Sequence, residues 1–320
     1  MKRRSPWDGL SRETNVAADR RILFVINPAA GSGKAARYRR KIEESLAGLG
    51  VDYKIIQTKQ KTEGTQVARA AAESGYDTVV AVGGDGTARE IAKGLYGTQV
   101  LLGLLTAGTG NDLARSLGYP KDYEQQLDMI LQGNRREIDV GMAMEEELFL
   151  NVCSMGLDAY VVEVANRIKR FAPRFLAYWI GVLSAIFRYE QKRVRVEGEG
   201  FLYDGKVILV AVGNGSYYGG GFQILPDADM GDGLLDTIVG EHNSRIRLLG
   251  LLLDLLKGEH IRGENRVWRR RTQCTQIGFD GFQSLNVDGE VLSVQEPVII
   301  RILEEKLGVI AKSAEEILER

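Results

Sequence analysis

Three glycines surround a single carboxylate in Gly83-Gly84-Asp85-Gly86-Thr87. Glycine lets backbone N–H groups approach an anion, a carboxylate beside them can help hold a divalent cation, and Thr87 adds a hydroxyl donor. An ordinary turn rarely needs so many glycines, which favours phosphate chemistry. A second polar string, Thr106-Ala107-Gly108-Thr109-Gly110-Asn111-Asp112-Leu113-Ala114-Arg115, exceeds what an N-cap worth about 1 kcal/mol requires, although Asn111 or Asp112 would suit that role. A third, Asn27-Pro28-Ala29-Ala30-Gly31-Ser32-Gly33-Lys34, is not a P-loop. Pro28 stands where the first glycine belongs, and Ala35 replaces the metal-binding hydroxyl. Its small residues still admit an anion at a helix N-terminus, with a tight strand–helix turn as an equally good reading. A dinucleotide fingerprint is disfavoured because Leu113 sits at the third glycine position.

These strings need strands and helices to aim them. Short apolar runs at 22–26, 52–58, 78–82 and 100–105 read as strands, alternating with helices over about 35–49, 64–74 and 88–96. In an open parallel sheet the loops after such strands gather at the carboxyl edge, where ligands bind. Asp85 and Asp112 then occupy corresponding strand ends, and both carboxylates can converge on one metal. Phosphoryl transfer asks for that arrangement. After Asp139 the pattern changes to short segments at 148–153, 193–197, 207–214, 234–239, 276–279 and 298–303. Gly, Asp and Asn turns separate them, which suggests an antiparallel β domain. Helical insertions are expected at 158–189 and 244–257. Residues 1–20 read as a disordered lead-in, and 306–320 as a C-terminal helix packing back on the first domain. The expected domains are therefore 21–139 and 140–305.

Two further strings carry oxygen donors. Asp229-Met230-Gly231-Asp232-Gly233 suits a hard cation or an ordinary hairpin loop equally. In Asp288-Gly289-Glu290 the bare residues favour a hairpin turn with Glu290 exposed. Over 161–187, Phe171, Phe175, Tyr178, Trp179, Ile180 and Phe187 mix with Arg167, Lys169, Arg170 and Arg174. That mix suits a helix at an anionic membrane surface, although a core-facing stripe explains most of the apolar residues as well. Pro173 is expected to split this stretch. The apolar run 248–256 is similarly open, and the basic run 266–271 reads first as a solvated turn.

The chain of 320 residues is 44% hydrophobic and 27% charged, with a formal net charge of −1, which gives no general reason to expect nucleic-acid binding. Its 2 cysteines, Cys153 and Cys274, lack zinc-site or disulfide spacing and read as buried apolar residues in a reducing compartment. No apolar run reaches the roughly 20 residues of a membrane span, and no signal peptide is visible at the N-terminus.

The strings at 27–31, 83–87 and 108–115 resemble, in order and spacing, the signature blocks of the diacylglycerol kinase catalytic domain family. The likeness continues through 151–156, 229–236 and Asp288-Gly289-Glu290, and is greatest toward the soluble bacterial lipid kinases. The resemblance implies an α/β architecture, with an N-terminal Rossmann-like nucleotide domain of the NAD-kinase and diacylglycerol-kinase type joined to a C-terminal β-sandwich, and ATP in the cleft between them. It implies that Asn27, Pro28, Ala29, Ala30, Gly31, Thr58, Gly84, Asp85, Gly86, Thr87, Glu90 and Thr109 hold ATP. Asp85, Asp112 and Asp139 would organise a catalytic Mg2+, partly through water. Asp229, Asp232 and the carbonyl of Leu234 would hold a second, structural Mg2+, and Glu290 would be the general base. The activity implied is an ATP-dependent lipid kinase at the inner face of the cytoplasmic membrane, peripherally bound and compatible with a homodimer. Diacylglycerol leads an acceptor list that includes monoacylglycerol, phosphatidylglycerol, undecaprenol and sphingoid bases. The alternatives are an NAD kinase-like enzyme and a catalytically silent nucleotide or lipid sensor.

Overall fold

The structure is a computed structural model that describes residues 20–60, 62–168, 171, 174–241, 250, 254, 267–281 and 283–312. Among the described residues, those up to Ile138 together with those from Leu307 onward form one compact unit, and those of Asp139–Lys306 form another.

In the first unit, strands β1 (Arg21–Ile26), β2 (Asp52–Gln57), β3 (Thr78–Gly83) and β4 (Leu101–Thr106) are joined by helices α1 (Tyr38–Leu46), α2 (Glu63–Glu73) and α3 (Asp85–Leu95). Helices α4 (Asp112–Ser116) and α5 (Tyr123–Gln132) then lead to strand β5 (Arg135–Ile138). The sequence of β3, Thr-Val-Val-Ala-Val-Gly, is buried throughout, as expected of a parallel strand covered on both faces. Phe24, Ile26, Val80, Val82 and Leu105 pack with Ile42, Leu127 and Ile130 of the helices. Strands β1 to β4 pair in parallel in the order 2-1-3-4.

The second unit holds strands β6 (Gly141–Ala143), β7 (Glu147–Phe149), β8 (Val152–Gly156), β9 (Lys192–Gly198), β10 (Phe201–Val207) and β11 (Leu209–Gly213). It continues with β12 (Leu235–Gly240), β13 (Val267–Thr272), β14 (Cys274–Phe279), β15 (Gln283–Val287), β16 (Glu290–Val294) and β17 (Val298–Ile302). Helices α6 (Leu157–Ile168) and α7 (Arg174–Arg188) follow β8. Two 6-stranded antiparallel sheets result, one ordered 10-9-14-17-6-7 and the other 13-12-11-8-15-16. Val196, Ile277, Val298 and Ile300 of the first share a core with Val210, Val212, Leu235 and Leu285 of the second. This is a β-sandwich.

Several elements differ from the sequence reading. Leu307–Ile310 is a fully buried strand, β18, lying between β4 and β5, and not part of a helix spanning 306–320. Its short apolar run, Leu-Gly-Val-Ile, has no polar face for a helix to turn outward, and residues 313–320 lie outside the described set. The basic run is a strand rather than a turn: β13 pairs with β12 and aligns Arg269 and Arg271 with acidic partners. The apolar stretch 148–153 divides between β7 and β8, and β10, β15 and β16 join segments read only as turns or termini. Helix α3 begins at Asp85, three residues earlier than expected, so the carboxylate belongs to its first turn. Cys153 is buried but Cys274 is only half-buried, and both are free thiols. Pro173 lies outside the described residues, although α6 and α7 end and begin on either side of it. Most of 248–256 is likewise outside them.

Candidate active site

In the first unit the strand order reverses direction between β1 and β3, and the carboxyl ends of these two strands make the crevice where open α/β sheets bind ligands. Asn27 fixes the loop after β1. Its backbone N–H donates to Val82 O (3.1 Å), its side-chain oxygen accepts from Ala29 N–H (3.1 Å), and its amide donates to Thr87 Oγ1 (3.2 Å). Gly31 adopts φ +59°, and a Cβ there would overlap the carbonyl oxygen of Ala107. The loops after β3 and β4 meet glycine on glycine: a Cβ on Gly108 would lie 2.6 Å from Gly84 Cα. Gly83 O accepts from Ala107 N–H (2.7 Å) and Gly108 N–H (3.1 Å). Three glycine-bearing loops are thus closed on one another at one sheet edge.

Asp85 and Asp112 are brought together at this edge. Asp85 Oδ1 accepts from Leu113 N–H at 3.0 Å, so the carboxylate sits at the start of α4, whose first residue is Asp112. Burial pushes the Asp85 carboxyl above the usual carboxylate range, and the backbone N–H groups of Leu113, Asn111, Asp85 and Asp112 oppose that shift. Asp112 is buried, with the Arg115 guanidinium 3.8 Å away. Asn111 takes a left-handed conformation (φ +56°), and its amide donates to Gly108 O at 3.0 Å. Among the described residues no group of three or more His, Cys, Asp or Glu forms a metal cluster. The pair nonetheless fits Mg2+ in donor chemistry, since that ion is held by one or two carboxylates, with phosphate and water completing its shell.

Of the other expected ATP contacts, Pro28 and Ala30 are half-buried, while Ala29, Gly86 and Thr109 are exposed at the loop surfaces. Thr58 is buried, with its N–H on Ile26 O (2.9 Å), and the Glu90 carbonyl accepts from the Thr65 hydroxyl (2.8 Å). Two supporting residues escaped the sequence reading. Tyr38 donates to Thr106 O (2.9 Å). Gln126 accepts from Thr106 N–H (2.9 Å) and donates to Thr106 Oγ1 (2.8 Å), which anchors the end of β4. The available signal was Gln126 on the otherwise apolar face of α5, where a buried amide must find partners.

Asp139, expected as the last residue of the first domain, is instead the first of the second unit, so the boundary falls one residue earlier than expected, and its side chain is buried. Its carboxylate accepts from Gly233 N–H (2.7 Å) and meets Lys306 Nζ (3.1 Å). Lys306 also donates to Gly231 O (2.6 Å). Asp229 accepts from Gly231 N–H and Asp232 from Leu234 N–H, each at 3.0 Å, and Asp232 pairs with Arg271. Two side-chain cations therefore already engage this loop. A divalent ion on Asp229, Asp232 and the Leu234 carbonyl would have to displace Arg271.

The hairpin expected from Asp288-Gly289 is present. Val287 pairs with Glu290, and the two turn residues have φ +48° and +88°, the left-handed pair of a type I′ turn. Glu290, the first residue of β16, is half-buried rather than merely exposed. Asp288 points away from solvent chemistry, accepting from the N–H groups of Leu150 (2.7 Å), Asn151 (3.0 Å) and Val152 (3.0 Å).

Residues 21–143 match the diacylglycerol kinase catalytic domain, and residues 151–311 match the YegS C-terminal NAD kinase beta sandwich-like domain. A diacylglycerol kinase of Mycobacterium tuberculosis is 31% identical over 305 residues, covering 90% of this chain and 96% of its own. A crystal structure from Bacillus anthracis strain Sterne, carrying the diacylglycerol kinase name, superposes with a TM-score of 0.75 at 28% identity, over 92% of this chain and 98% of its own. An NAD kinase from Archaeoglobus fulgidus, solved with ATP, shares the fold at 13% identity and a TM-score of 0.50, over 93% of this chain and 96% of its own.

Proposed function

Because this chain belongs to the diacylglycerol kinase catalytic domain family and is an ATP-dependent kinase, we propose that it transfers the γ-phosphate of ATP to a lipid hydroxyl, with diacylglycerol as acceptor and phosphatidic acid as product. The observation that carries this reading is the closure of three strand-end loops beside the Asp85–Asp112 pair, Gly84 on Gly108 and Gly31 on the Ala107 carbonyl. The loop of Asn27 to Gly31, with Gly84, Gly86, Thr87 and Thr109, would present N–H and hydroxyl donors to the triphosphate. Thr58 and Glu90 would border the nucleotide. Asp85 and Asp112 would hold Mg2+, which when bound neutralises charge on the phosphate oxygens. Asp139, whose carboxylate accepts from Gly233 N–H and pairs with Lys306, would be the third member of that acidic set. Glu290 would take the proton from the acceptor hydroxyl, a weak nucleophile until deprotonated.

The test is radiolabelled ATP with magnesium and a detergent-dispersed panel of lipid and sphingoid acceptors, with NAD in a parallel reaction. Labelled phosphatidic acid is expected, with Asp112→Asn reducing turnover by about 10²-fold or more. Nucleotide binding without any labelled acceptor would instead favour a silent sensor, and NADP formation an NAD kinase.

The acceptor arrives in a membrane, and α7 supports a docking face. No described helix is long and apolar enough to cross a bilayer. Val182, Ala185 and Ile186 of α7 pack with Val161 of α6 and with Trp179, so one side of the helix is core, while the side chains of Phe175 and Tyr178 lie outside the described residues. Leu176, Ile180, Leu183 and Phe187 recur at helical spacing and remain exposed, and Phe171 before the helix is 89% exposed. Exposed Arg167 and Arg188 flank them, which suits an anionic lipid surface on the cytoplasmic side. Leu183→Glu with Phe187→Glu is expected to abolish sedimentation with anionic vesicles while sparing activity on detergent-dispersed lipid. If the pair instead converted a dimer to monomers without changing vesicle binding, the face would belong to a second copy of the chain.

A further inference from the structure

A buried polar chain leads to the Glu290 hairpin. Asp158, in the first turn of α6, is buried, and its Oδ2 accepts from the Ser154 hydroxyl and from Asn286 Nδ2, the latter at 3.1 Å. Asn286 is itself buried in β15, beside Ser154 of β8 in the strand register. Its other side-chain atom, Oδ1, accepts from Gly289 N–H at 2.9 Å. Gly289 immediately precedes Glu290.

The cost of this arrangement argues for a purpose. Among the described residues Asp158 Oδ1 has no hydrogen-bond partner, and burial raises the carboxyl pKa against the opposing donors. A carboxylate in such surroundings is expensive, and an amide or apolar side chain would be cheaper for folding alone. Gly156, just before α6, shows how tightly α6 is held: a Cβ there would overlap the carbonyl oxygen of Ile208. The helix start, and Asp158 with it, is therefore a rigid base. Asp288 pins the opposite side of the same two-residue turn to the N–H groups of Leu150, Asn151 and Val152. Between them the two attachments leave the peptide before Glu290 little freedom to rotate.

We propose that Asp158, acting through Asn286, is a positioning residue that sets the direction in which Glu290 leaves the hairpin. The inference rests on the assignment of Glu290 as the base, and its test separates the two. Catalytic geometry is sensitive at this scale, since a displacement of about 1 Å can cost roughly 10²-fold in rate.

The experiment measures kcat and both KM values, with melting curves, for Asp158→Asn, Asp158→Leu, Asn286→Leu, Ser154→Ala and Glu290→Gln. Asp158→Asn keeps an acceptor for Asn286 and is expected to stay within about threefold of the parent in kcat. Asp158→Leu and Asn286→Leu are each expected to lower kcat by about 10- to 100-fold. KM for ATP should not move, and the double variant should fall no further than either single one. In a Glu290→Gln background, Asp158→Leu should cost nothing more. Should Asp158→Leu fail to fold, Ser154→Ala with Asn286→Leu carries the same comparison. Unchanged kcat in folded Asp158→Leu and Asn286→Leu, or losses that multiply with Glu290→Gln, would overturn the positioning role. Full turnover of Glu290→Gln would instead remove the base assignment itself.

Discussion

Glu290→Gln is expected to leave the fold intact and lower turnover by about 10²- to 10⁴-fold, the span usual for removing a general base. Asp288→Ala, two residues earlier, is expected to act in the opposite way, through stability. The contrast follows from what each carboxylate touches. Asp288 takes three backbone N–H donors, from Leu150, Asn151 and Val152, all of them buried residues. Truncation strands those donors at about 1–3 kcal/mol each, so a loss of about 3 kcal/mol or more is expected. That is a large share of the roughly 5–15 kcal/mol that holds a domain folded, and it should lower the melting temperature of the second unit by roughly 6–12 °C. Glutamine at 290 changes only charge and basicity on a half-buried side chain at a strand start. Circular dichroism melts alongside single-turnover labelling of the lipid separate the two effects. Asp288→Ala melting with the parent would remove the anchoring role, and Glu290→Gln with parental kcat would remove the catalytic one.

The other large effect is expected from Gly31→Ala. At φ +59° any side chain pays about 1 kcal/mol for the left-handed conformation, and here the added carbon would also overlap Ala107 O. The loop after β1 must then back away from the loop after β4, opening the crevice proposed for the triphosphate. Affinity for ATP should fall by about 10-fold or more, with about 2 kcal/mol lost in stability. Gly33→Ala is the control. Gly33 has φ +88° but nothing within 4 Å of a Cβ position, so only the conformational cost applies and nucleotide affinity should hold. Calorimetric titration of both variants with ATP decides the matter, and equal affinities would show that closure at Gly31 is not needed for binding.

The parallel sheet was legible because β1, β3 and β4 are short apolar runs buried on both faces, a pattern that few other structures produce. The loops after them were legible for the same reason that they are unusual: glycines cluster where backbone must approach backbone or anion. Strand β18 was not. Four apolar residues near a chain end carry no period long enough to distinguish strand from helix, and the slot between β4 and β5 that receives them is made by segments about 200 and 170 residues away. Strand β13 was hidden similarly, since its arginines read as solvated until Asp227, Asp232 and Asp236 are brought alongside them.

The same division runs through the candidate site. Residue types and their spacing along the chain determined which strand-end loops gather glycines, that Asp85 and Asp112 open the helices after two of those strands, and that Asp288-Gly289 makes a two-residue turn. These are local properties, fixed by backbone conformation and by neighbours a few positions away. Tertiary structure alone decided that Gln126 anchors Thr106, that Lys306 and Arg271 engage the loop around Asp232, and that Asp158 reaches Gly289 through Asn286. Each of these joins single polar residues distant along the chain. For Gln126, Asp158 and Asn286 the partnership is enforced by burial, which leaves them no water to bond with.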